Sequence, residues 1–174
     1  EVTPHHLAFD HHAAASTDPV HKMMPPLRST ADRDALRRAL SDGTIDIVGT
    51  DHAPHAEHEE EVPWEQAPNG VIGLEWAAAV VNTVADLDQE AFYDRMSVAP
   101  ARIGQIDDQG RLPVVGAVAN VTVFDPTAEW VPESTVSKAQ NSPYLGMTLR
   151  GRPRVTVYRG VVTARDGVPE DGNG

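Results

Sequence analysis

Ile45-Asp46-Ile47-Val48-Gly49-Thr50-Asp51-His52 indicates the fold class of this chain more clearly than any other segment. Residues 45–49 form a short, largely apolar run, as expected for a buried strand. The carboxylate of Asp51 follows this run almost directly. In parallel α/β proteins the carboxyl ends of the strands are where catalytic groups are assembled. The segment therefore predicts an α/β fold with functional chemistry at Asp51.

Helices are predicted on both sides of this strand. Ser29 can cap an amphipathic helix that has apolar residues at positions 35, 36, 39 and 40 and that stops near Gly43. Downstream, Asp88 can cap a third helix, and Ser97 followed by Pro100 opens a short fourth one. The second helix is predicted from one apolar face, which consists of Leu74, Ala77, Ala78, Val81 and Val84.

The pattern changes to that of β-strands from about residue 105 onward. Residues 120–124 form one predicted strand, and residues 155–158 and 161–163 form two more around Arg159-Gly160, as in a hairpin. We therefore divide the chain into a largely helical part, residues 1–104, and a β-rich accessory module, residues 105–174.

Composition excludes several classes of protein. The 174 residues are 40% hydrophobic and include three Trp, which is typical of a globular domain with a core. The 26 acidic and 14 basic residues give a formal net charge of −12, which disfavours nucleic acid and anionic membranes as partners. The absence of Cys excludes disulfides and thiolate metal ligands. No apolar run approaches the ~20 residues of a membrane span, and we expect a cytoplasmic protein.

One carboxylate and three imidazoles fall within eight residues, at Asp51, His52, His55 and His58. This ligand set suits zinc or a related divalent ion, but the spacing matches no standard metal motif. A metal or acid–base site and a solvated loop with capping residues both remain open. His58 lies beside three glutamates and is expected at the surface.

Other histidines and a proline-rich segment are also candidates. His5-His6 and His11-His12 are two adjacent pairs, and on an extended strand the members of a pair would point to opposite faces. We expect packing for the first pair and a mobile loop for the second. The segment Lys22–Arg28 is expected to be extended because of its prolines, and the long polar loop at residues 53–69 is expected to be functional.

At these residues the chain resembles a known family. Its sequence is similar to the carboxyl-terminal half of bacterial class I dihydroorotases, which belong to the amidohydrolase superfamily. The segment Thr50-Asp51-His52-Ala53-Pro54-His55 in particular separates dihydroorotases from hydantoinases and allantoinases. The other matching motifs follow the family's order and are Glu1-Val2-Thr3-Pro4-His5-His6-Leu7, Lys22-Met23-Met24-Pro25-Pro26-Leu27-Arg28, Asp42-Gly43-Thr44-Ile45-Asp46, Gly70-Val71-Ile72-Gly73-Leu74-Glu75, Ser137-Lys138 and Asn141-Ser142-Pro143-Tyr144.

The resemblance implies both a fold and a reaction. Residues 1–104 would form the carboxyl-terminal half of a TIM-type (β/α)8 barrel, and residues 105–174 would form a sandwich-like module. The enzyme would reversibly hydrolyse the cyclic amide of dihydroorotate to N-carbamoyl-aspartate in pyrimidine biosynthesis. In the family two metal ions, usually zinc, bridge the hydroxide that attacks the ring amide. Asp51 matches the residue that ligates one metal and carries a proton from the hydroxide to the departing nitrogen.

Four more positions match substrate-binding residues of the family. His55 matches the histidine that holds the substrate's carboxylate, and Asn69-Gly70 matches the loop whose backbone contacts the pyrimidine ring. Met24 stands where an asparagine usually donates a hydrogen bond to the substrate, and a thioether cannot donate that bond. Asn69 itself replaces a commoner aromatic residue or proline.

The family's remaining metal ligands lie upstream of Glu1. They comprise an HxHxR motif, a bridging acidic residue or carboxylated lysine, and two further histidines. One carboxylate cannot hold a binuclear centre, so we expect this chain to need the amino-terminal half of the same protein and to be inactive without it. A homo-oligomer and a complex with aspartate transcarbamoylase remain open as assemblies.

Two alternative functions remain open. The first is a non-catalytic dihydroorotase-like subunit that scaffolds aspartate transcarbamoylase, which Met24 favours and which Asp51 and His55 disfavour. The second is a hydantoinase or allantoinase that acts on another cyclic amide. The segment Thr3-Pro4-His5-His6 and the presence of His55 disfavour that second alternative.

Overall fold

A computed structural model describes residues 1–170, in which helices precede an antiparallel sheet. The last four residues of the predicted β-rich module lie outside the described residues. No helix among the described residues is long and apolar enough to cross a membrane. The helices are α1 (Pro4–Ala8), α2 (Thr30–Asp42), α3 (Glu57–Glu60), α4 (Ala77–Val84), α5 (Gln89–Tyr93) and α6 (Ala99–Ile103), with 3-10 turns at Ala13–Ser16 and Pro19–His21 and a π-helical turn at Asp94–Val98.

Helix α2 forms as predicted. Its N-cap Ser29 accepts a hydrogen bond from the Asp32 backbone N–H at 3.2 Å, and Asp32 Oδ2 accepts one from the Ser29 N–H at 3.0 Å. This reciprocal pair is a capping box, and Gly43 ends the helix with a φ of 85°. Leu40 is fully buried on the predicted apolar face, whereas Ala35 is exposed.

Helix α4 differs from its prediction at the amino-terminal end. The helix begins at Ala77, and Leu74 lies in the preceding turn with 62% of its surface exposed. Leu74 therefore does not belong to the buried face. Within the helix, Val80 packs into one hydrophobic cluster and Val81 into another, because α4 lies between two parts of the core.

The sheet is a four-stranded antiparallel meander in the order β1-β2-β3-β4. The predicted hairpin is confirmed between β2 and β3, where Arg159 and Gly160 both have positive φ, as a two-residue turn requires. The strand predicted at residues 120–124 is confirmed as the first part of β1. The strands are β1 (Val121–Trp130), β2 (Leu149–Tyr158), β3 (Val161–Arg165) and β4 (Val168–Pro169).

The strand predicted at residues 45–49 is reduced to one parallel bridge, between Val48 and Val2. The Val2 N–H donates to Ile47 O at 3.1 Å, and the Gly49 N–H donates to Val2 O at 3.0 Å. On the carboxyl-terminal side of this bridge the pairing ends because helix α1 begins at Pro4, with Thr3 as its N-cap. A second isolated parallel bridge joins His52 to Val71.

His5 and His6 do not lie on a strand, so that expectation is wrong. Thr3 caps helix α1 by accepting a hydrogen bond from the His6 N–H, and Pro4 occupies the first turn. Proline is well tolerated at that position because its missing N–H would be unpaired there anyway. The two imidazoles are therefore about 100° apart on a helix and not on opposite faces of a strand.

The sheet packs on α4 through a shared core and through polar side chains. Trp76 and Val80 lie in the same buried cluster as Tyr144 and Leu149. Asn82 Nδ2 donates to the Arg150 carbonyl at 2.7 Å. The contact is close because β2 has glycine at Gly151, where a Cβ atom would lie only 2.9 Å from Asn82 Nδ2. The helical and β-rich parts thus pack directly together.

Candidate functional site

Asp51 lies at a turn of the backbone between the two parallel bridges, after Val48 and directly before His52. Its φ is 47°, in the left-handed region, and its side chain is exposed. That conformation costs a non-glycine residue about 1 kcal/mol, and residues held in it occur preferentially at functional sites. Five non-glycine residues of the described chain have positive φ, and Asp51 is the one among them that the sequence also predicts to be functional.

His55 is joined to the loop that carries Asn69. Its Nε2 lies 3.0 Å from the Asn69 carbonyl oxygen. Because a carbonyl can only accept, Nε2 carries the proton in this bond and Nδ1 is left for another partner. The histidine is half-buried, so its ring is partly held by the protein and partly accessible.

Gly70 makes the close approach of two loops possible. Its φ is 121°, and a Cβ atom there would lie only 2.6 Å from Ala53 Cβ and 3.4 Å from His55 Nε2. Both polar backbone groups of Gly70 are used within the protein, since its N–H donates to Lys22 O at 2.8 Å and its carbonyl accepts from Asn141 Nδ2 at 3.2 Å. Gly70 is buried, whereas the neighbouring Asn69 is exposed.

The segment that carries Met24 contacts the same loops. It is non-helical, as predicted from its prolines, and the peptide bond between Met24 and Pro25 is cis. Lys22 Nζ donates to the carbonyls of Trp64 and Ala67, both at 2.6 Å, and so ties the segment to the long loop. Met24 itself is 63% exposed. The five residues predicted from the sequence thus lie on three segments, at residues 22–28, 51–55 and 69–70. The third segment is hydrogen-bonded to each of the other two.

Asn141 is the residue of this region that reasoning from single segments misses. Its side chain is buried and donates from Nδ2 to Ala53 O at 2.9 Å and to Gly70 O at 3.2 Å. Its Oδ1 accepts from the His55 N–H at 3.3 Å. These partners are 71 to 88 residues away along the chain, so no local pattern marks the residue. The signal that the sequence did contain was its place in the Asn141-Ser142-Pro143-Tyr144 motif.

His52 and Glu75 have structural hydrogen bonds in place of free ligand atoms. His52 Nδ1 accepts from the backbone N–H groups of Gly73 at 3.2 Å and Leu74 at 3.3 Å. Glu75 accepts from the backbone N–H groups of Val136 at 2.8 Å and Ser137 at 2.9 Å. Each side chain thereby joins two parts of the chain. Among the four candidate ligands at residues 51–58, Asp51 and His55 therefore remain as candidates for a catalytic or binding role.

His5 is a buried packing residue. It is 1% exposed, and neither ring nitrogen has a hydrogen-bond partner within the described residues. Burial, with a smaller contribution from the neighbouring His6, lowers the pKa of His5 to about 3. The ring is therefore neutral near pH 7. His6 instead makes two contacts, from Nδ1 to Thr3 Oγ1 at 2.7 Å and from Nε2 to Pro25 O at 2.8 Å. The second contact joins helix α1 to the segment that carries Met24.

A second cluster of ligating groups consists of Asp10, His11 and His12, whose ligand atoms lie within 4.8 Å of one another. The Asp10 carboxylate already accepts from Thr30 Oγ1 and from Arg33 Nη1, each at 2.9 Å. Hydrogen bonds, first of all the one from Thr30, lower the pKa of Asp10 to about 2. A guanidinium on the same oxygen opposes a bound cation, so this cluster is an ion pair with two exposed imidazoles.

No family model matches the chain. It is 46% identical to the dihydroorotase of Mycobacterium tuberculosis over 173 residues, which is 96% of this chain and 40% of that protein. It is 45% identical to the dihydroorotase of Streptomyces coelicolor, with the same coverage of both chains. The chain thus spans about two fifths of the length of the curated relatives it matches.

Solved structures give the same fold. The L-hydantoinase (dihydropyrimidinase) of Arthrobacter aurescens has a TM-score of 0.87 at 28% identity, over 98% of this chain and 40% of the hydantoinase. A D-hydantoinase (dihydropyrimidinase) of a Thermus species has a TM-score of 0.72 at 31% identity, over 89% of this chain and 36% of the hydantoinase. The α/β class predicted from residues 45–52 is confirmed. Nearly the whole chain is thus homologous to about two fifths of the named dihydroorotases, at 45–46% identity.

Proposed function

We propose that this chain provides the Asp51, His55 and substrate-loop part of a dihydroorotase active site. The observation that carries the proposal is the junction of residues 51–55 with Asn69-Gly70, in a chain that is 46% identical to a dihydroorotase. The remaining part of the site would come from the amino-terminal half of the same protein, since the chain spans 40% of that relative. The whole polypeptide is called the full-length protein below.

The finer architecture follows from the same proposal. Residues 1–104 would complete a (β/α)8 barrel with the upstream strands, and residues 105–174 would form the accessory module. The two isolated parallel bridges, at Val48 and His52, support this view, because they leave short parallel segments whose pairing upstream strands can extend. The exposed carboxylate of Asp51 would then lie inside the rim of the closed barrel.

Asp51 fits one coordination position of zinc or a similar divalent ion, because carboxylate oxygens are among the ligands of such ions. Asp51 belongs to no group of three ligating side chains within the described residues, and in this proposal the other ligands would come from the upstream half. The ions, when bound, would lower the pKa of the attacking water.

The residues of this chain would then divide the remaining work. Hydrolysis forms a bond between the water oxygen and the amide carbon of dihydroorotate and breaks the bond from that carbon to the ring nitrogen. Asp51 accepts the proton that the water loses and delivers it to the departing nitrogen. Proton transfer by one residue in both directions is consistent with a reversible reaction.

Binding of the substrate would fall to the neighbouring loop. Because His55 Nε2 is held by Asn69 O, its Nδ1 is the nitrogen that can donate to the substrate's carboxylate when the ring is protonated. Both polar backbone groups of Gly70 are engaged within the protein, which leaves the Asn69 N–H as the donor of this loop for the pyrimidine ring. Met24 would border the pocket without donating a hydrogen bond.

A decisive experiment is to purify the full-length protein and to measure hydrolysis of dihydroorotate before and after chelation of its metal. We expect turnover that is lost with the metal and restored by zinc. Full metal occupancy without turnover would contradict the proposal and would favour the non-catalytic scaffold of aspartate transcarbamoylase. Gel filtration of the same preparation, alone and with the transcarbamoylase, tests for a homo-oligomer and for that complex.

The similarity to hydantoinase structures favours one second candidate, a hydantoinase acting on a related cyclic amide. The dihydroorotase proposal is the better supported one because of the higher sequence identity to the dihydroorotases. A substrate panel of dihydroorotate, hydantoin, dihydrouracil and allantoin separates the two. Greater kcat/KM for an uncharged ring than for dihydroorotate would select the hydantoinase.

A further inference from the structure

Asn141 lies between β1 and β2 in the sequence, yet its side chain is inserted between two loops of the candidate site. It is 3% exposed. Three hydrogen bonds of its amide connect Ala53, His55 and Gly70, as described above. Its backbone carbonyl also accepts from the Ile72 N–H at 3.0 Å, which fixes the main chain of Asn141 beside the second loop.

We propose that Asn141 is a positioning residue of the active site. It holds residues 53–55 against Asn69-Gly70, so that the His55 ring and the Asn69 backbone address the same substrate molecule. This inference rests on the dihydroorotase proposal for its substrate but on the hydrogen bonds of Asn141 for its geometry.

The chemistry of the amide group explains why asparagine suits this position. The carbonyls of Ala53 and Gly70 both point at Nδ2, and two carbonyl oxygens at close range repel each other unless a donor lies between them. An amide nitrogen offers two N–H donors, and the amide oxygen on the same carbon accepts from the His55 N–H. These three partners also determine which amide atom is the oxygen and which is the nitrogen.

Loss of this side chain should affect binding of substrate more than the chemical step. The loop of residues 53–55 carries His55, which holds the substrate, whereas Asp51 is placed by the bridges on either side of it. Buried carbonyls that lose their donors move toward water or toward new partners, because leaving them unpaired costs free energy. The His55 ring and the Asn69 backbone would then separate.

The test uses three variants of the full-length protein. Asn141→Ala removes all three hydrogen bonds, whereas Asn141→Asp keeps an acceptor for the His55 N–H but removes both donors. Ser142→Ala is the matched control. Ser142 is also buried, and within residues 1–170 its Oγ accepts only from the nearby Tyr144 N–H, at 3.2 Å. We expect KM for dihydroorotate to rise roughly tenfold or more in both Asn141 variants, with kcat changed less than about threefold. We expect Ser142→Ala to stay within about twofold of the wild type in both constants.

A purely structural role would give a different result. It would lower the melting temperature and the fraction of active enzyme, and so the apparent kcat, while leaving KM unchanged. That outcome in Asn141→Asp, with KM equal to that of Ser142→Ala, would overturn the proposal.

Amide hydrogen exchange gives a readout that does not depend on activity. In Asn141→Ala the His55 amide should lose protection at least tenfold, while the Ile72 amide, bound to the Asn141 backbone, should keep it. If the wild-type protein shows no turnover, the dihydroorotase proposal fails, and this exchange experiment decides about Asn141 alone. Unchanged protection of His55 in Asn141→Ala would then reject its positioning role.

Discussion

His55 and Asn69 are joined by a hydrogen bond of 3.0 Å between Nε2 and the backbone carbonyl oxygen. This bond fixes the tautomer of the imidazole and couples two loops that are 14 residues apart in sequence. Nδ1 is therefore the ring nitrogen that is available for a ligand. A side chain with one nitrogen fixed by the protein and one available is suited to hold a small anion in a defined orientation.

His55→Ala should therefore weaken substrate binding. Loss of a hydrogen bond to a charged group costs about 1.5–3 kcal/mol, which corresponds to a rise in KM of roughly 10- to 100-fold. Steady-state kinetics of the full-length protein with dihydroorotate measure this change. His58→Ala is the control, because His58 is exposed on α3 and should leave KM as it is. An unchanged KM in His55→Ala would exclude the ring from substrate binding.

Asp51→Asn should reduce turnover without unfolding the protein. An amide cannot accept the proton of the attacking water, and loss of a general acid–base group lowers kcat by about 10²- to 10⁴-fold. The matched control is Asp46→Asn, an exposed aspartate of the same segment that precedes the first bridge. Circular dichroism, zinc content and kcat are measured together. A kcat within threefold of the wild type at full zinc content would remove Asp51 from the mechanism.

Gly70→Ala should destabilise the fold more than Gly160→Ala. Both glycines have positive φ. A Cβ atom at Gly160 would meet none of the described residues within 4 Å, whereas one at Gly70 would lie 2.6 Å from Ala53 Cβ. Backbone strain alone should cost about 1 kcal/mol at Gly160. The clash should add about 1–3 kcal/mol at Gly70. Urea unfolding of the two variants measures the difference, and equal free energies of unfolding would show that the two loops are not closely packed.

The stability of the protein should decrease in mild acid because of His5. The folded-state pKa of His5 is about 3, below its ordinary value of 6.5, so the unfolded chain binds a proton in this range that the folded chain does not. The contribution of His5 to stability is therefore complete above about pH 6.5 and is lost as the pH falls from there toward 3. The slope is at most about 1.4 kcal/mol per pH unit.

Thermal unfolding of the full-length protein at pH 7.5 and pH 5 measures this effect. His5→Phe should reduce the difference in melting temperature between the two pH values, because it removes the titrating group while keeping an aromatic ring in the buried site. His11→Phe is the control, since His11 is exposed. If His5→Phe and the wild type lose the same number of degrees between the two pH values, His5 does not account for the acid sensitivity.

Local patterns in the sequence were sufficient for several elements. The capping box of Ser29 and Asp32, the left-handed Gly43 and the turn at Arg159-Gly160 each depend on residues within a few positions of one another. The strand at residues 45–49 and the extended histidine pair were wrong or overstated, because a ladder extends only as far as its partner stays extended. Helix α1 begins at Pro4, two residues after Val2, and nothing in residues 45–49 carries that information.

The residues of the candidate site also fall into a group that the sequence indicates and a group that only the tertiary structure shows. The sequence was sufficient to name Asp51, His55 and the pair Asn69-Gly70 as candidates. Side-chain chemistry and family motifs can be recognised in short runs of consecutive residues. The tertiary structure alone decided three other features. Asn141 joins these residues, both backbone groups of Gly70 are hydrogen-bonded within the protein, and His52 has a structural role. Hydrogen bonds between groups 20 to 90 residues apart depend on how distant segments pack, and packing distances are not encoded in any one segment.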